Sequence, residues 1–275
     1  MTVGTVEEAI RLLREDPVER QRLVDAYYEP DPASCARAFA ASDEFAEVCR
    51  LAGPLAGRRV LDLGAGNGIA SYAFARAGAR VTALEPDPSP VVGHGAIRLS
   101  CAGLPVEVVD SFGEQLPFPD GAFDLVYARQ VLHHARDLDA MLRECARVLR
   151  PGGLFLACRE HVVDDEAQLR EFLAGHPIHR LVGNEHAYSL PRYQAAIRGA
   201  PLRLLRTLGQ YRSIINAFPE CRSRAALRRL WRHWLWRKYS LAGPILGLFP
   251  GVRDRLNARR AAFAGRLFTF VARRA

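Results

Sequence analysis

The chain has 275 residues, of which 49% are hydrophobic and 25% are charged. This balance is typical of a globular protein and excludes disordered, collagen-like and coiled-coil chains. The first residues are polar and acidic and lack the apolar segment of a signal peptide, and no stretch approaches the roughly 20 apolar residues of a membrane span. We therefore expect a cytoplasmic protein that buries a full core.

Charge is divided unevenly along the chain. Residues 1–160 contain 17 Arg or Lys and 23 Asp or Glu, a net charge of −6, whereas residues 161–275 contain 21 and 7, a net charge of +14. A basic C-terminal part favours an anionic partner. The six cysteines lie far apart without a CxxC pair or a zinc spacing, which favours reduced thiols, several of them in the core.

The apolar periodicity predicts helices first, then alternating strands and helices. Residues 5–51 are helical in pattern, with Val6, Ile10 and Leu13 on one face of the first helix and a second apolar periodicity at 33–51. The predicted strands are 59–63, 80–84, 104–109, 123–127, 153–158, 202–207 and 267–272. The later helices are predicted at 69–77, 138–149, 164–174, 190–198, 222–240 and 252–264, with a polar loop at 176–188 and an apolar break at 241–249. This alternation predicts a mostly parallel sheet with helices on both faces.

A glycine-rich loop, DLGAGNG (62–68), follows the first predicted strand. Its glycines allow a tight turn and a close approach of a ligand to the backbone, and the next helix points its N-terminal amides at that ligand. Glu85 ends the second strand, where a carboxylate can accept both hydroxyls of a ribose. Ile69 stands where a dinucleotide motif has its third glycine, which disfavours a nicotinamide oxidoreductase.

Four segments together resemble class I S-adenosylmethionine-dependent methyltransferases. They are VLDLGAGNG (60–68), VTALEPD (81–87), EQLPFPDGAFDLVYARQVLHH (114–134) and ECARVLRPGGLFLACRE (144–160). The chain is most similar to the ubiquinone/menaquinone C-methyltransferase-like group of small-molecule methyltransferases. The resemblance implies a Rossmann-like fold and S-adenosylmethionine as the cofactor.

The resemblance also implies roles for individual positions. The acid and backbone of the glycine loop would hold the methionine part of the cofactor, Glu85 would bind the ribose, the segment 111–114 would flank adenine, and the end of the fourth strand would line the sulfonium. The residues implied in cofactor binding are Asp62, Gly64, Ala65, Gly66, Gly68, Glu85, Pro86, Phe112, Gly113, Glu114, Ala128, Arg129 and Gln130.

The adenine segment departs from the family pattern. Members usually carry an acidic residue two or three positions before the Leu-Pro of this loop, but here Phe112 and Gly113 precede Glu114. Adenine is therefore expected to stack on Phe112, with backbone amides reading its edge. Tyr27 and Tyr28 are expected either to close over the cofactor or to be half-buried packing residues.

Three histidines are the candidate catalytic residues. Methyl transfer from a sulfonium mainly requires alignment and exclusion of water, and a base is needed only where the nucleophile must lose a proton. His133 and His134 follow the fourth strand and His161 ends the fifth, where α/β sheets bind ligands. The alternatives are helix packing by His133 or His134 and a salt-bridged strand end at 159–161.

A second polar cluster, in the loop after the fifth strand, contains His176, His179, Glu185 and His186. No helix or hairpin signal fixes these side chains in a common geometry, and methyl transfer requires no metal. We therefore expect no metal site, and we interpret the loop as a polar lid over the substrate.

Residues 222–240 predict a basic amphipathic helix. Its apolar face consists of Leu227, Leu230, Trp231, Trp234 and Leu235, and arginines populate the rest. Three interpretations stay open. The helix is a cap with solvated arginines, it makes a peripheral contact with the anionic inner face of the membrane, or it is a nucleic-acid-binding surface. No RNA-binding module accompanies the helix, which counts against nucleic acid.

These observations predict a Rossmann-like α/β fold with a seven-stranded, mostly parallel sheet. We expect an N-terminal helical cap (1–54), a cofactor-binding core (55–213), a basic aromatic helical insertion (214–264) and the last strand of the core (265–275). The expected function is S-adenosylmethionine-dependent transfer of a methyl group to oxygen or carbon of a small or lipid-linked metabolite. The alternatives are an RNA methyltransferase and an inactive cofactor-binding homologue.

Overall fold

The computed structural model describes residues 3–183, 185–240, 251–252 and 262–275. The predicted break at 241–249 and most of the predicted helix 252–264 lie outside the described residues. The domain boundaries given above therefore stay a prediction.

The strands of the described chain form one sheet. They are β1 (Arg59–Leu63), β2 (Arg80–Leu84), β3 (Val106–Val109), β4 (Phe123–Arg129), β5 (Leu149–Val163), β6 (Tyr188–Ser189), β7 (Leu202–Leu208) and β8 (Arg266–Arg274). Their order is β3-β2-β1-β4-β5-β8-β7, with β6 paired to the end of β5. Among these described strands, only β8 runs antiparallel to its neighbours, β5 and β7. The predicted seven-stranded, mostly parallel Rossmann-like sheet is confirmed, with the two-residue β6 as an addition.

Helices cover both faces of the sheet. They are α1 (Val6–Leu13), α2 (Pro17–Asp25), α3 (Pro32–Ala40), α4 (Asp43–Ala52), α5 (Ile69–Arg76), α6 (His94–Ser100), α7 (Leu138–Val148), α8 (Glu166–Gly175), α9 (Pro177–Leu181), α10 (Leu190–Gly199), α11 (Ile214–Ala217) and α12 (Arg224–Tyr239), together with a 3₁₀ helix at Leu132–His134.

Polar caps set several of these helix starts. Asp16 and Asp31 each precede a proline, and their carboxylates accept hydrogen bonds from Val18 N at 2.8 Å and Ala33 N at 3.0 Å. A capping carboxylate satisfies amides that have no partner inside the helix, and proline suits the first helical position. These local signals are why α2 and α3 begin where they do.

Two predictions of local structure are wrong. Residues 33–51 do not form one helix, because Ser42 donates to Phe39 O at 2.6 Å and accepts from Phe45 N at 3.1 Å, so that it ends α3 and starts α4. The segment 176–188 is not a continuous loop, because Pro177 starts α9 behind a cap by His176. In addition, α6 and α11 had no predicted counterpart.

Two hydrophobic layers hold the helices on the sheet. On one face, the rings of Phe39, Phe45, Phe74 and Tyr127 contact one another in series, with centroids 5.6, 5.4 and 5.0 Å apart. This series joins α3, α4 and α5 to β4. On the other face, α7 and α10 pack residues such as Leu142 and Tyr193 against the sheet. Large aromatic side chains dominate such layers because each buries a large apolar area.

The basic helix α12 packs through its predicted apolar face. Trp231, Trp234 and Leu235 are buried, and Trp231 Nε1 donates to Tyr211 O at 2.8 Å. On the outer side, Trp236 is 62% exposed.

Within the described ranges, no helix combines the length and the apolarity needed to cross a bilayer. All six cysteines are free, and five of them are buried.

The core offers a direct test of packing. Tyr127 Oη is buried and has no hydrogen-bond partner among the described residues. An unpaired buried hydroxyl costs roughly 1–3 kcal/mol, so Tyr127→Phe should raise the free energy of unfolding by up to about 1 kcal/mol in urea titrations. The matched control, Tyr193→Phe, removes a hydrogen bond to His161 O at 3.2 Å and should lower it. A clear loss of stability in Tyr127→Phe would show that the Tyr127 hydroxyl has a partner in solution.

Candidate functional site

The carboxyl ends of β1, β2, β4 and β5 open into one cavity of about 930 Å³. The chain leaves β1 toward β2 and β3 on one side, whereas β4 and β5 lie on the other side. Ligands of open α/β sheets bind at such a reversal of strand order, because the connecting loops separate there. The glycine loop lies at one end of this cavity and the predicted histidines at the other.

Different structural constraints act at the three glycine positions of the loop. Gly64 has φ +60°, and a Cβ there would lie 2.7 Å from Val131 Cγ2, so packing excludes a side chain. Gly66 has φ +56°, but a Cβ there would lie 3.8 Å from its nearest neighbour, Val92 O, so the space beside it is open. Gly68 has φ +82° and would clash with Ser100 Oγ at 2.8 Å; it lies behind the cavity wall rather than in it.

Two carboxyl groups face the glycine loop. Glu85 accepts hydrogen bonds from Gly66 N at 2.8 Å and Asp87 N at 2.9 Å, and its burial raises its pKa. Asp62 accepts from Ser71 Oγ at 2.6 Å, and its burial raises its pKa to about 7. A carboxylate has about four acceptor positions, so each group keeps capacity for a polar ligand.

The cap closes the glycine-loop end. Asn67 Nδ2 donates to Tyr27 O at 2.7 Å and so ties the loop to the end of α2. The ring of Tyr27 is buried against Phe39 and Phe218, whereas Tyr28 lines the cavity. Of the two expected tyrosines, the structure therefore brings only Tyr28 to the cavity.

The segment predicted to flank adenine does line the cavity. Phe112 is 59% exposed, and the Arg136 guanidinium lies 5.7 Å from its ring centroid. A Cβ on Gly113 would lie 2.8 Å from Met141 Cε, so the backbone runs close against α7. Glu114 accepts from Arg136 N at 2.8 Å. Pro86 and Ala65 also lie in the cavity wall.

The end of β4 differs from the predicted lining. Ala128 is fully buried in the core and does not reach the cavity. Arg129 forms a buried ion pair with Glu44 of α4 at 2.9 Å, and this carboxylate raises the arginine pKa against the effect of burial. Gln130 has φ +58°, and its amide lies 3.4 Å from His161 Nε2. No pattern in the sequence indicated Glu44, which lies 85 residues before Arg129.

Of the three residues 159–161 of β5, two make internal contacts. Arg159 is buried and donates to Ile215 O at 2.6 Å and Phe218 O at 2.9 Å. His161 lines the cavity, with Nδ1 donating to Gly265 O at 2.8 Å. That bond fixes the neutral tautomer, so Nε2 is an acceptor for the amide of Gln130. Burial lowers the pKa of His161 to about 3.

Glu160, the third of these residues, holds the turn after β4. Its fully buried carboxylate accepts hydrogen bonds from Val131 N at 3.0 Å, Leu132 N at 3.2 Å and His133 N at 3.3 Å, and from His133 Nδ1 at 2.8 Å. His133 Nδ1 is therefore the protonated nitrogen, and its Nε2 lone pair faces the cavity. Burial lowers the pKa of His133 to about 3.

Glu185, in the segment predicted to form a lid, lies close to three histidines. Its Oε2 lies 3.7 Å from His133 Nε2 and 3.8 Å from His134 Nε2, and its Oε1 lies 3.9 Å from His176 Nδ1. Burial raises the pKa of Glu185 to about 7. Of the loop cluster, His186 also lines the cavity, whereas His179 does not.

The remaining wall is largely apolar and belongs mainly to the cap, which also contributes the charged side chains of Glu19 and Arg22. Its apolar residues include Val6, Ile10, Leu13, Leu23, Val92 and Ile178. The amphipathic face of α1 was visible in the sequence, but its position opposite the strand ends was not.

The raised pKa of Asp62 predicts a pH dependence of the protein's stability. Because the folded-state pKa is raised from 3.8 to about 7, the fold favours the protonated carboxyl. This contribution to stability is fully present below pH 3.8 and is lost as the pH rises through about 7. Each pKa unit corresponds to about 1.4 kcal/mol, so the loss is on the order of a few kcal/mol.

Thermal unfolding of the ligand-free protein at a series of pH values measures this loss. Asp62→Asn, which keeps an acceptor for Ser71, should flatten the decline of Tm between pH 4 and pH 7 relative to the wild type. An identical decline in both proteins would show that Asp62 does not titrate as the geometry indicates.

Comparisons with known proteins agree with this architecture. Residues 61–157 match the family model described as a methyltransferase domain. A ubiquinone biosynthesis O-methyltransferase of Rhizobium rhizogenes is 32% identical over 148 residues, which are 54% of this chain and 59% of that protein. The protein of the same name from Xanthomonas oryzae is 42% identical over 107 residues, 38% of this chain and 44% of the relative. The chain thus spans about half of the length of the curated relatives it matches.

A solved structure extends the likeness beyond the matched domain. The structure of a putative sarcosine dimethylglycine methyltransferase from Galdieria sulphuraria superimposes with a TM-score of 0.55 at 21% identity, covering 85% of this chain and 84% of that one. At this identity the likeness concerns the fold. Residues 61–157 thus match a methyltransferase domain, and the sheet order and the glycine loop agree with that match.

Proposed function

We propose that the protein transfers a methyl group from S-adenosylmethionine to an oxygen atom of a small, partly apolar metabolite. The observation that carries this proposal is the single cavity that joins the glycine loop, the histidines after β4 and the apolar wall of the cap. The curated relatives are named O-methyltransferases of ubiquinone biosynthesis, which supports an oxygen acceptor on a small molecule.

The residues at the glycine-loop end fit the methyl donor. The space beside Gly66 is open where a Cβ would stand, so a ligand can lie against the backbone. Glu85 is fixed by two backbone amides with acceptor capacity left for ribose hydroxyls, and Asp62 offers a carboxyl group for the amino group of the methionine part. When bound, S-adenosylmethionine supplies a methyl group on a positively charged sulfonium.

The chain's own residues would align the acceptor and exclude water. Alignment of the two reactants is the main contribution that a protein can make to such a displacement. His133 presents the Nε2 lone pair to the cavity because Glu160 holds Nδ1, whereas the Nε2 of His161 is engaged by Gln130. We therefore assign contact with the acceptor to His133 and to its neighbour His134, both of which line the cavity. His161 is assigned as a positioning residue.

The apolar wall indicates the class of acceptor. The side chains of α1, α2 and α9 at this wall, among them Ile10, Leu23 and Ile178, would cover a hydrocarbon portion of the substrate. Burying such a portion is favourable by about 0.8 kcal/mol for each methylene group. A lipid-linked or phenolic compound with an aliphatic tail fits this combination of a polar end and an apolar wall.

Calorimetric titration with S-adenosylhomocysteine, the product form of the donor, tests the proposal. We expect saturable binding to the wild type and none to Gly66→Arg, whose side chain would fill the open space beside the loop. The matched control is Gly175→Arg, because Gly175 has no neighbour within 4 Å of a Cβ and ends α8 outside the cavity. Equal binding by both variants, or binding of NADH in place of S-adenosylhomocysteine, would refute the proposed donor.

We further propose that α12 contacts anionic membrane from the cytoplasmic side. Trp236 is 62% exposed beside the exposed arginines Arg228, Arg229 and Arg232, and basic helices with exposed tryptophan suit the interface of anionic lipid.

Co-sedimentation with phosphatidylserine vesicles tests the membrane contact. Trp236→Ser should reduce the bound fraction severalfold, whereas Leu99→Ser, which removes a 59% exposed side chain from α6, should not change it. Equal sedimentation of wild type and Trp236→Ser would refute a role of α12.

A further inference from the structure

Two histidines and one carboxylate meet in the cavity wall at the spacing of metal ligands. Nε2 of His133 and Nε2 of His134 lie 3.7 and 3.8 Å from Glu185 Oε2, and the three ligand atoms all fall within 4.8 Å of one another. These separations exceed hydrogen-bond distances. Ligand atoms around a tetrahedral Zn²⁺, with bonds of about 2.0–2.1 Å, lie roughly 3.4 Å apart, so small side-chain adjustments would complete the site.

The surroundings of His133 support a ligand role. Its Nδ1 donates to Glu160 Oε2 at 2.8 Å, and Glu160 is itself fixed by the amides of the 3₁₀ helix. A histidine that binds a metal almost always donates its other nitrogen to a carboxylate or carbonyl group, which orients the ring and increases its basicity. The pair of Glu160 and His133 already has this arrangement.

We propose that His133, His134 and Glu185 bind one divalent ion of the Zn²⁺ class, with an open coordination position that faces the cavity. Imidazole nitrogens favour zinc and similar transition metals over Mg²⁺ and Ca²⁺, which prefer oxygen ligands. Three protein ligands with a fourth position open are typical of a catalytic zinc site. All three residues line the cavity that also contains the glycine loop.

The role of the ion rests on the proposed function, whereas its binding does not. An acceptor hydroxyl bound at the open position would lose its proton to water, because the ion stabilises the oxyanion. The oxygen would then form a bond to the methyl carbon as the carbon–sulfur bond breaks, and the electron pair of that bond would remain on sulfur as a neutral thioether. The ion would thereby select acceptors with an ionisable hydroxyl group.

Substitution with Co²⁺ tests the site without any substrate. The full chain, stripped with a chelator, is titrated with Co²⁺ and followed by the visible absorption of four- or five-coordinate cobalt, then by displacement with Zn²⁺. We expect one equivalent to bind to the wild type. Glu185→Gln and His134→Ala should each lose the absorption band, and Glu160→Gln should weaken binding by roughly 10- to 100-fold. Circular dichroism checks that each variant is folded.

The matched control is His233→Ala, because His233 is an exposed histidine on α12 away from the cavity. It should bind Co²⁺ like the wild type. A wild type without the absorption band, or a band that survives in both Glu185→Gln and His134→Ala, would overturn the proposal. Calorimetry with S-adenosylhomocysteine separates the two claims: donor binding without a cobalt band refutes only the metal site, and a cobalt band without donor binding refutes only the proposed function.

Discussion

The site depends on one buried carboxylate, that of Glu160. A fully buried charge is costly unless hydrogen bonds replace its water, and here three backbone amides and one imidazole do so. Because these donors all come from the turn after β4, the carboxylate joins the ends of β4 and β5. These hydrogen bonds fix the 3₁₀ helix and the ring of His133, and therefore the polar end of the cavity.

The cap and the sheet meet through buried polar contacts as well as through the core. The ion pair of Arg129 with Glu44 joins β4 to α4, and the bond from Asn67 to Tyr27 joins the glycine loop to the end of α2. Arg129 and Asn67 both line the cavity. Their contacts with the cap therefore hold its apolar wall opposite the strand ends. The cavity thus combines a rigid polar end with a wall that the N-terminal helices contribute.

The sequence predicts the parts of this site that are local. The strands, the glycine loop and Glu85 could be found because each is signalled by a few adjacent residues, and backbone chemistry fixes their geometry. The direction of the Arg129 side chain could not be found, because it depends on Glu44 in a different helix. The core position of Ala128 could not be predicted either, because the sequence does not show at which residue β4 leaves the sheet.

The meeting of Glu185 with His133 and His134 shows the same limit. About 50 residues separate the two segments, and neither has a ligand spacing that would indicate the other. In the sequence, Glu185 belongs to a polar cluster with the histidines of its own loop; of these, His176 Nδ1 lies 3.9 Å from Glu185 Oε1, whereas His179 does not reach the cavity. His133 and His134 come from the turn after β4, which Glu160 of β5 holds in place beside this loop.

Hydrogen–deuterium exchange with and without S-adenosylhomocysteine tests most directly that this cavity is the methyl-transfer site. The measurement does not require knowledge of the acceptor. We expect slower exchange in peptides that cover residues 62–70, 85–87 and 111–114, with little change in β7 and α12. Unchanged exchange in those three segments, or protection confined to other parts of the chain, would contradict the assignment of this cavity.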